Sequence, residues 1–330
     1  MSLRIVKSGL LDTIQDGGRY GYQHLGINPG GAMDITAMKT ANALVGNDAY
    51  EAVIEMHFPA AEIVFEETVL IALSGADFTA TINGDTVPIL HPVMVQKGCL
   101  LQFGKNKTGA RVYLAVQGGY ITKQWLLSSS THQKVKAGGF EGRALQKNDV
   151  LQLKQNNSHR MITNDKPFVI LGWMANVCDL YRENSFRFIT GAEYYYLDEL
   201  SKQQLETVFF TIHQQSDRMG YRLSGEPLAL KNAKELISTA VTKGTIQLLP
   251  DGQLIILMAD HQTTGGYPRV GHLISADFSS SAQMRAGEKF SLVKTDIATA
   301  EKLIFEQQRS LQQLQNACNF RLEEYFNNNR

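Results

Sequence analysis

The sequence predicts a mainly β protein with a few helices, organised as two related antiparallel barrel domains. Three observations carry this expectation: short strand-like segments set apart by turn signals, only two segments with helical periodicity, and a weak internal repeat.

The strand-like segments lie at 61–65, 69–73, 79–82, 100–103 and 111–116 in the first half, and at 168–171, 186–189, 208–212, 245–249 and 254–258 in the second. Asn83-Gly84-Asp85 predicts a hairpin turn, because Asn and Gly accept the positive φ angles of tight primed turns. Pro250-Asp251-Gly252-Gln253 repeats the device. Strands at this spacing, without regularly interleaved long helices, argue against a doubly wound parallel sheet.

Two segments read as helices. In 34–46, Ile35, Met38, Ala41, Leu44 and Val45 recur at helical spacing, with Asp34 placed to cap the start and Gly46 to take a left-handed position at the end. In 295–326, Ile297, Ala300, Ile304, Leu311, Leu314 and Cys318 hold one face and polar residues the other, so this helix needs a surface to lean on.

The repeat runs through both halves. Ser74-Gly75-Ala76-Asp77-Phe78, then Gly98, Gln102 and Gly109, lead to a strand ending in Gln117-Gly118-Gly119-Tyr120. Thr190-Gly191-Ala192-Glu193-Tyr194, then Gly244, Gln247 and Gly252, lead to Thr264-Gly265-Gly266-Tyr267. The expected domains are 1–157 with the helix 34–46, 158–295, and a C-terminal amphipathic helix at 296–330, with the barrels joined near the polar segment 155–165.

Bulk properties narrow the function. The chain has 330 residues, enough for two domains, and 43% apolar against 19% charged residues, enough to build cores. Lys plus Arg and Asp plus Glu each total 32, which leaves no net field to draw nucleic acid or an acidic membrane. Cys99, Cys178 and Cys318 match no disulfide or metal pattern and fit a reducing, cytoplasmic setting. The start reads as neither signal peptide nor anchor, and no apolar run is long enough to span a membrane.

Four segments hold the candidate chemistry. Gln15-Asp16-Gly17-Gly18-Arg19 places paired glycines beside a carboxylate and a guanidinium, as an anion or amide ligand requires; its other reading is a turn with a surface Asp16–Arg19 pair. Residues 26–34 approach the helix through glycines but lack the Gly-Lys-Ser/Thr ending of a nucleotide loop. Asp260, His261, Gln262, Thr263, Thr264, Gly265, Gly266 and Tyr267 follow an apolar strand directly, where rigid structure gives way to a loop. Here Asp260 is the candidate base, Gln262 and Tyr267 are further catalytic candidates, and Thr264, Gly265 and Gly266 would bind substrate. Arg218 and Arg222, flanking Gly220, can clamp a carboxylate or brace backbone carbonyls. His261 and His272 form no ligand set, so no metal is expected. Ser128-Ser129-Ser130-Thr131-His132 lacks the elbow glycines of a serine hydrolase.

TIQDGGR at 13–19, NPGGAMD at 28–34, NALVGN at 42–47, YLAVQGGY at 113–120, SDRMGYRLSG at 216–225, GTIQLLPDGQ at 244–253 and DHQTTGGYP at 260–268 together resemble the allophanate hydrolase subunit 2 family. That family includes the 5-oxoprolinase C-subunit and the matching half of the urea carboxylase carboxyltransferase domain. The resemblance covers about residues 4–295 and implies two cyclophilin-like β-barrels. It also implies a subunit-1 type partner and, for a 5-oxoprolinase, a third lactam-acting subunit. The implied activity is ATP-dependent opening of a small cyclic amide, 5-oxoproline, to glutamate by the assembled subunits, with ATP not necessarily held by this chain. Carboxyl transfer from carboxybiotin to urea or a related amide is the alternative, with biotin arriving on another protein; a regulatory partner-binding protein without turnover is the alternative of another class. The chain departs from the family pattern twice. Leu127-Ser128-Ser129-Ser130-Thr131 stands where Gly-Ser-Arg-Ser-Thr is usual, and His261 stands where an arginine is usual. Both changes remove a cation and bear on which anionic group is held.

Overall fold

The computed structural model of the protein describes residues 1–154, 166–232 and 236–328. Two compact units result: Met1–Gly18, Asp34–Cys178 and Arg309–Arg330 form the first, and Arg19–Met33 with Asp179–Gln308 the second. The junction expected at 155–165, and with it the 157/158 boundary, lies outside the described residues. Elsewhere the units interleave along the chain instead of following the sequential scheme 1–157, 158–295 and 296–330. Strand Phe168–Ile170 pairs with Pro92–Val95 and so belongs to the first unit. Arg19–Met33 belongs to the second because Asn28, Gly31 and Met33 are hydrogen-bonded to Asp260, Arg218 and Lys243, and Met33 sits in that unit's core.

Among the described residues the first unit contains two six-stranded sheets. One runs Val150–Gln152, Ser2–Lys7, Glu62–Phe65, Leu100–Phe103, Ala80–Ile82, Asp85–Thr86; the other runs Phe168–Ile170, Pro92–Val95, Val69–Asp77, Thr108–Val116, Val53–His57, Thr13–Gln15. The hairpin expected at Asn83-Gly84 forms, with φ of 51° and 92° at the two turn residues and Ile82 paired to Asp85. Strand alternation sends Val69, Ile71 and Leu73 into the core with Leu3, Ile5, Phe65 and Val112. Leu70, Ala72 and Ser74, also buried, are left for the face that helix α1 (Ile35–Val45) packs against. This is why Val69–Leu73 reads as a continuous apolar run.

Helix α1 starts and stops where its end residues require. The Asp34 carboxylate accepts from the Ala37 amide at 2.8 Å, and Gly46 turns left-handed at φ 73°. Asn42 donates to the Glu51 carbonyl, and Asn47 joins Asn42, the Val116 carbonyl and the Gly118 amide. The NALVGN motif is therefore structural, tying the end of α1 to the turn after Thr108–Val116.

The second unit contains a closed barrel of seven strands among the described residues, in the order Ser185–Thr190, Arg269–Leu273, Thr245–Leu248, Leu254–Leu257, Gly220–Ser224, Phe209–Ile212, Lys289–Lys294. A parallel pairing of Lys289–Lys294 with Ser185–Thr190 closes it. Phe186, Phe188, Phe210, Ile246, Ile256 and Phe290 fill the interior. Helix α2 (Glu199–Thr207), capped by Asp198, and the short α3 (Phe278–Ala282) accompany the barrel. The repeated Gly-Gly-Tyr motifs differ locally: Gly118 and Gly119 make a turn at φ of 81° and 82°, whereas Gly265 pairs in a two-stranded ribbon, Thr239–Ala240 with Thr264–Gly265.

Helix α4 (Ile297–Asn328) is the expected C-terminal helix. In the part that belongs to the first unit, Leu311, Cys318 and Leu322 are buried, Gln315 donates to the Asn47 carbonyl, and Tyr325 meets Trp173 edge-on. The surface it leans on is the end of α1. Burial pushes the Cys318 thiol up to about 11, so it acts as an apolar filler. No helix among the described residues is long and apolar enough to cross a membrane.

Asp12, just before strand Thr13–Gln15, is 1% exposed; burial raises its carboxyl to about 7, opposed by backbone amides that include Gly9. Because the folded value lies above the unfolded one, the protonated carboxyl is the form the fold favours. Its stabilising share is complete below about pH 4 and is lost as the pH rises toward and through 7. A difference of about 3 units corresponds to roughly 4 kcal/mol. Asp12→Asn should therefore stabilise the protein at pH 8 by about 2–4 kcal/mol more than at pH 5 in urea unfolding. An equal difference at both values refutes this.

Candidate functional site

In the first unit, strand Thr13–Gln15 delivers Gln15 and Asp16 into a polar interior. Gln15 is 1% exposed, and its Nε2 donates to Thr13 Oγ1 at 2.9 Å. Asp16 Oδ1 accepts from the hydroxyls of Ser128 (2.7 Å) and Ser130 (2.6 Å) and from the Gly18 amide (2.8 Å), while Oδ2 accepts from the Ser129 amide. The Asp16 carboxylate is thus the knot between the 13–18 loop and the serine loop, and its acceptor positions are taken. Leu126 and Leu127 precede the serines at φ of 52° and 61°, a left-handed conformation that costs a branched side chain roughly 1 kcal/mol or more. That explains a preference for glycine at position 127. Ser129, in the position where arginine is usual, is buried and shares its hydroxyl with Thr122.

In the second unit, the segment after strand Leu254–Leu257 is locked to its surroundings. Arg218 Nε and Nη2 donate to Asp260 Oδ2 and Oδ1 at 2.9 and 3.0 Å, a two-pronged pair, and Nη2 also reaches the Gly31 carbonyl at 2.7 Å. The Asp260 amide bonds the Arg218 carbonyl, and Asn28 donates to the Asp260 carbonyl at 2.9 Å. Arg19, 1% exposed, flanks the same place. A Cβ at Gly30, whose φ is 63°, would stand 2.8 Å from Arg19 Nη1 and 3.7 Å from Asp260 Oδ1. Arg19 and Arg218 thus both stand near the Asp260 carboxylate, and guanidinium groups are planar donors suited to an anionic group.

His261, 2% exposed, bonds the Gln262 carbonyl through Nδ1. Burial lowers its pKa, and the Lys243 ammonium lowers it further against the opposing Gln262 bond, so the imidazole is neutral near pH 7. Lys243 itself donates to the Met33 carbonyl and lies 5.1 Å from the centre of the Phe278 ring. The position where arginine is usual thus carries a neutral ring facing a separate cation.

Gly265, Gly266 and Tyr267 line a pocket of about 290 Å³ together with Thr239, Glu193 and Arg269. A Cβ at Gly265 would lie 2.6 Å from the side-chain amide nitrogen of the fully buried Gln247, which would have to shift to make room. Glu193 and Arg269 form a second two-pronged pair: Arg269 Nε to Oε2 at 2.9 Å and Nη2 to Oε1 at 2.8 Å. Arg269 holds the Glu193 carboxyl below its usual range. Sequence reading passed over this pair. Its signal was Thr190-Gly191-Ala192-Glu193: a Cβ at Gly191 would sit 2.1 Å from the Arg269 carbonyl, so only glycine lets the chain approach closely enough to deliver Glu193.

The structure thus gathers Arg19, Arg218 and Asp260 in one cluster, and Gly265, Gly266 and Tyr267 around one pocket. Thr264 is exposed on the adjoining ribbon. Gln262 is exposed, engaging His261 only through its carbonyl, and Arg222 points outward from strand Gly220–Ser224. Gln15 and Asp16 lie in the first unit; Asp16 is committed to its own groups, whereas the buried Gln15 Oε1 has no hydrogen-bond partner among the described residues. At the start of α1 the Ala37 amide is taken by the carboxylate of the wholly buried Asp34, whose negative charge would oppose a phosphate of ATP there. Among the described residues no three His, Cys, Asp or Glu side chains converge.

This chain belongs to the family of the carboxyltransferase domain, subdomain A and B, whose model matches residues 25–294. It is 35% identical to the 5-oxoprolinase C-subunit of Escherichia coli over 312 residues, 94% of this chain and 97% of that protein. It is 27% identical to urea amidolyase of Saccharomyces cerevisiae over 331 residues, which take in 96% of this chain but 17% of that protein. The crystal structure of the Kluyveromyces lactis urea carboxylase shares the fold, with a TM-score of 0.85 at 23% identity over 95% of this chain and 29% of that one.

Proposed function

We propose that this chain is a subunit of an ATP-dependent 5-oxoprolinase that opens 5-oxo-L-proline to L-glutamate together with a subunit-1 type partner and a third, lactam-acting subunit. One observation carries the reading: 94% of the chain matches 97% of a separate 5-oxoprolinase subunit, whereas the urea-acting relative contains the same stretch as a small part of a far longer protein.

Ring opening breaks the lactam C–N bond and adds one water across it. An unstrained lactam is a poor electrophile, and phosphorylation of its oxygen by ATP supplies a leaving group; the reading does not require this chain to hold the ATP. This chain's share is binding and orientation by the loop from Asp260 to Tyr267. Both Asp260 oxygens already accept from Arg218, so Asp260 acts by aiming Arg218 and anchoring the loop rather than by taking a proton. Arg19 and Arg218 place guanidinium donors beside this loop. Tyr267 and Thr264 offer hydroxyls beside the glycines, and Gln262 is available from the surface to a partner or substrate. Gln15 and Asp16 fix the segment that leads into Arg19, and Arg222 offers an exposed cation.

The deciding assay combines the chain with the products of neighbouring genes and follows glutamate release from 5-oxoproline. ATP-dependent release that requires this chain is the expected result; a complete set that leaves 5-oxoproline intact overturns the reading. Carboxylation of urea by a set containing a biotin carboxylase and a biotin carrier would favour the carboxyltransferase alternative, which the family's name supports.

A further inference from the structure

We propose that the pocket beside Gly265 and Gly266 selects small ligands carrying a carboxylate, with Arg269 as the anchor and Glu193 as the residue that aims it. The inference rests on the lactam-opening reading and assigns the residues that hold the carboxylate of its substrate.

The argument starts from the unused edge of Arg269. Its Nε and Nη2 are engaged by Glu193, whereas Nη1 makes no hydrogen bond among the described residues and is not buried. Arg269 lines the pocket and its side chain is 22% exposed. Glu193 is bonded to the Arg269 backbone amide as well, so the guanidinium is held in one orientation before any ligand arrives. A guanidinium with one edge occupied keeps donors for one planar, singly charged acceptor, and the adjacent Glu193 charge disfavours a phosphate dianion.

The rest of the wall agrees. Gly265 and Gly266 remove side-chain bulk, while Tyr267, Leu236 and Ile237 supply apolar surface for ring methylenes. At about 290 Å³ the pocket lies just below the range for ligand sites, roughly 300–1,000 Å³, and suits a single small ring. A neutral amide or urea would accept from the open Arg269 edge without the added strength that a charged acceptor gives the bond.

The test measures binding of 5-oxoproline and of 2-pyrrolidinone, the same ring without the carboxylate, to the assembled complex by calorimetry. Arg269→Gln should weaken 5-oxoproline binding about tenfold to a hundredfold and leave 2-pyrrolidinone unchanged. Ile237, 89% exposed at the rim, provides variants that leave the fold intact: Ile237→Lys should tighten 5-oxoproline several-fold and Ile237→Glu should weaken it. A folded Arg269→Gln protein that keeps 5-oxoproline affinity, or loses both ligands equally, overturns the proposal. If Arg269→Gln does not fold, the Ile237 variants decide, and equal affinities in both overturn it. Absence of 5-oxoproline turnover in the wild-type complex strikes the functional reading, while the binding contrast still judges the pocket.

Discussion

Arg218→Ala and Asp260→Asn should each lower turnover of the assembled enzyme by on the order of a hundredfold or more, with the larger share in kcat. Removing Arg218 leaves the Asp260 carboxylate and the Gly31 carbonyl without their donor, in a place where the Arg218 side chain is 8% exposed and that of Asp260 31%. Breaking one side of a buried pair costs about 3–5 kcal/mol; the partial exposure of Asp260 places this pair at the low end. Asp260→Asn is the sharper probe. It keeps the shape but turns an amide NH₂ toward Arg218, a donor facing donors. The double variant should cost little more than either single one, because both changes break the same lock. A proton-accepting Asp260 would instead erase the corresponding limb of the pH–rate profile in Asp260→Asn, while Arg218→Ala would retain that limb. Near-normal turnover in both folded single variants refutes a role for the pair.

Asp16→Ala should destabilise the protein by about 3–5 kcal/mol, measured by urea or thermal unfolding. Its carboxylate is the shared acceptor for two hydroxyls and two amides in a nearly closed interior, and alanine leaves all four donors unsatisfied. Asp16→Asn should recover only part of the loss. The serine hydroxyls can rotate, but either placement of the amide opposes its NH₂ to one of two fixed backbone donors, the Ser129 or the Gly18 amide. A shift below about 1 kcal/mol for Asp16→Ala would show that the serine loop is held by other contacts, such as Thr131 to the Ile14 carbonyl.

Local signals read well wherever one backbone feature requires one residue type. Asn83-Gly84 made its turn, Asp34 and Gly46 bounded α1, and the strands 69–73, 111–116 and 254–258 appeared in place with small shifts at their ends. Strands Ser2–Lys7 and Lys289–Lys294 escaped notice because each buries only two apolar side chains, Leu3 and Ile5 in one and Phe290 and Leu292 in the other, too few repeats to stand out as a period. Helix α2 escaped because its surface is polar and only Ser201 and Leu205 are buried.

The candidate site divided along the same line. The amino-acid sequence by itself determined the mainly β architecture, the family, and the loop after 254–258 as the place where polar groups gather, since each rests on residue types at short spacing. Only the tertiary structure decided their partners. Asp16 went to three serines more than a hundred residues away, Asp260 to Arg218, and Glu193 to Arg269, while Arg222 and Gln262 turned outward. An ion pair or buried acceptor is completed by groups that chain closure brings together from distant strands. Composition fixes how many such groups exist, and the barrel's register chooses which of them meet.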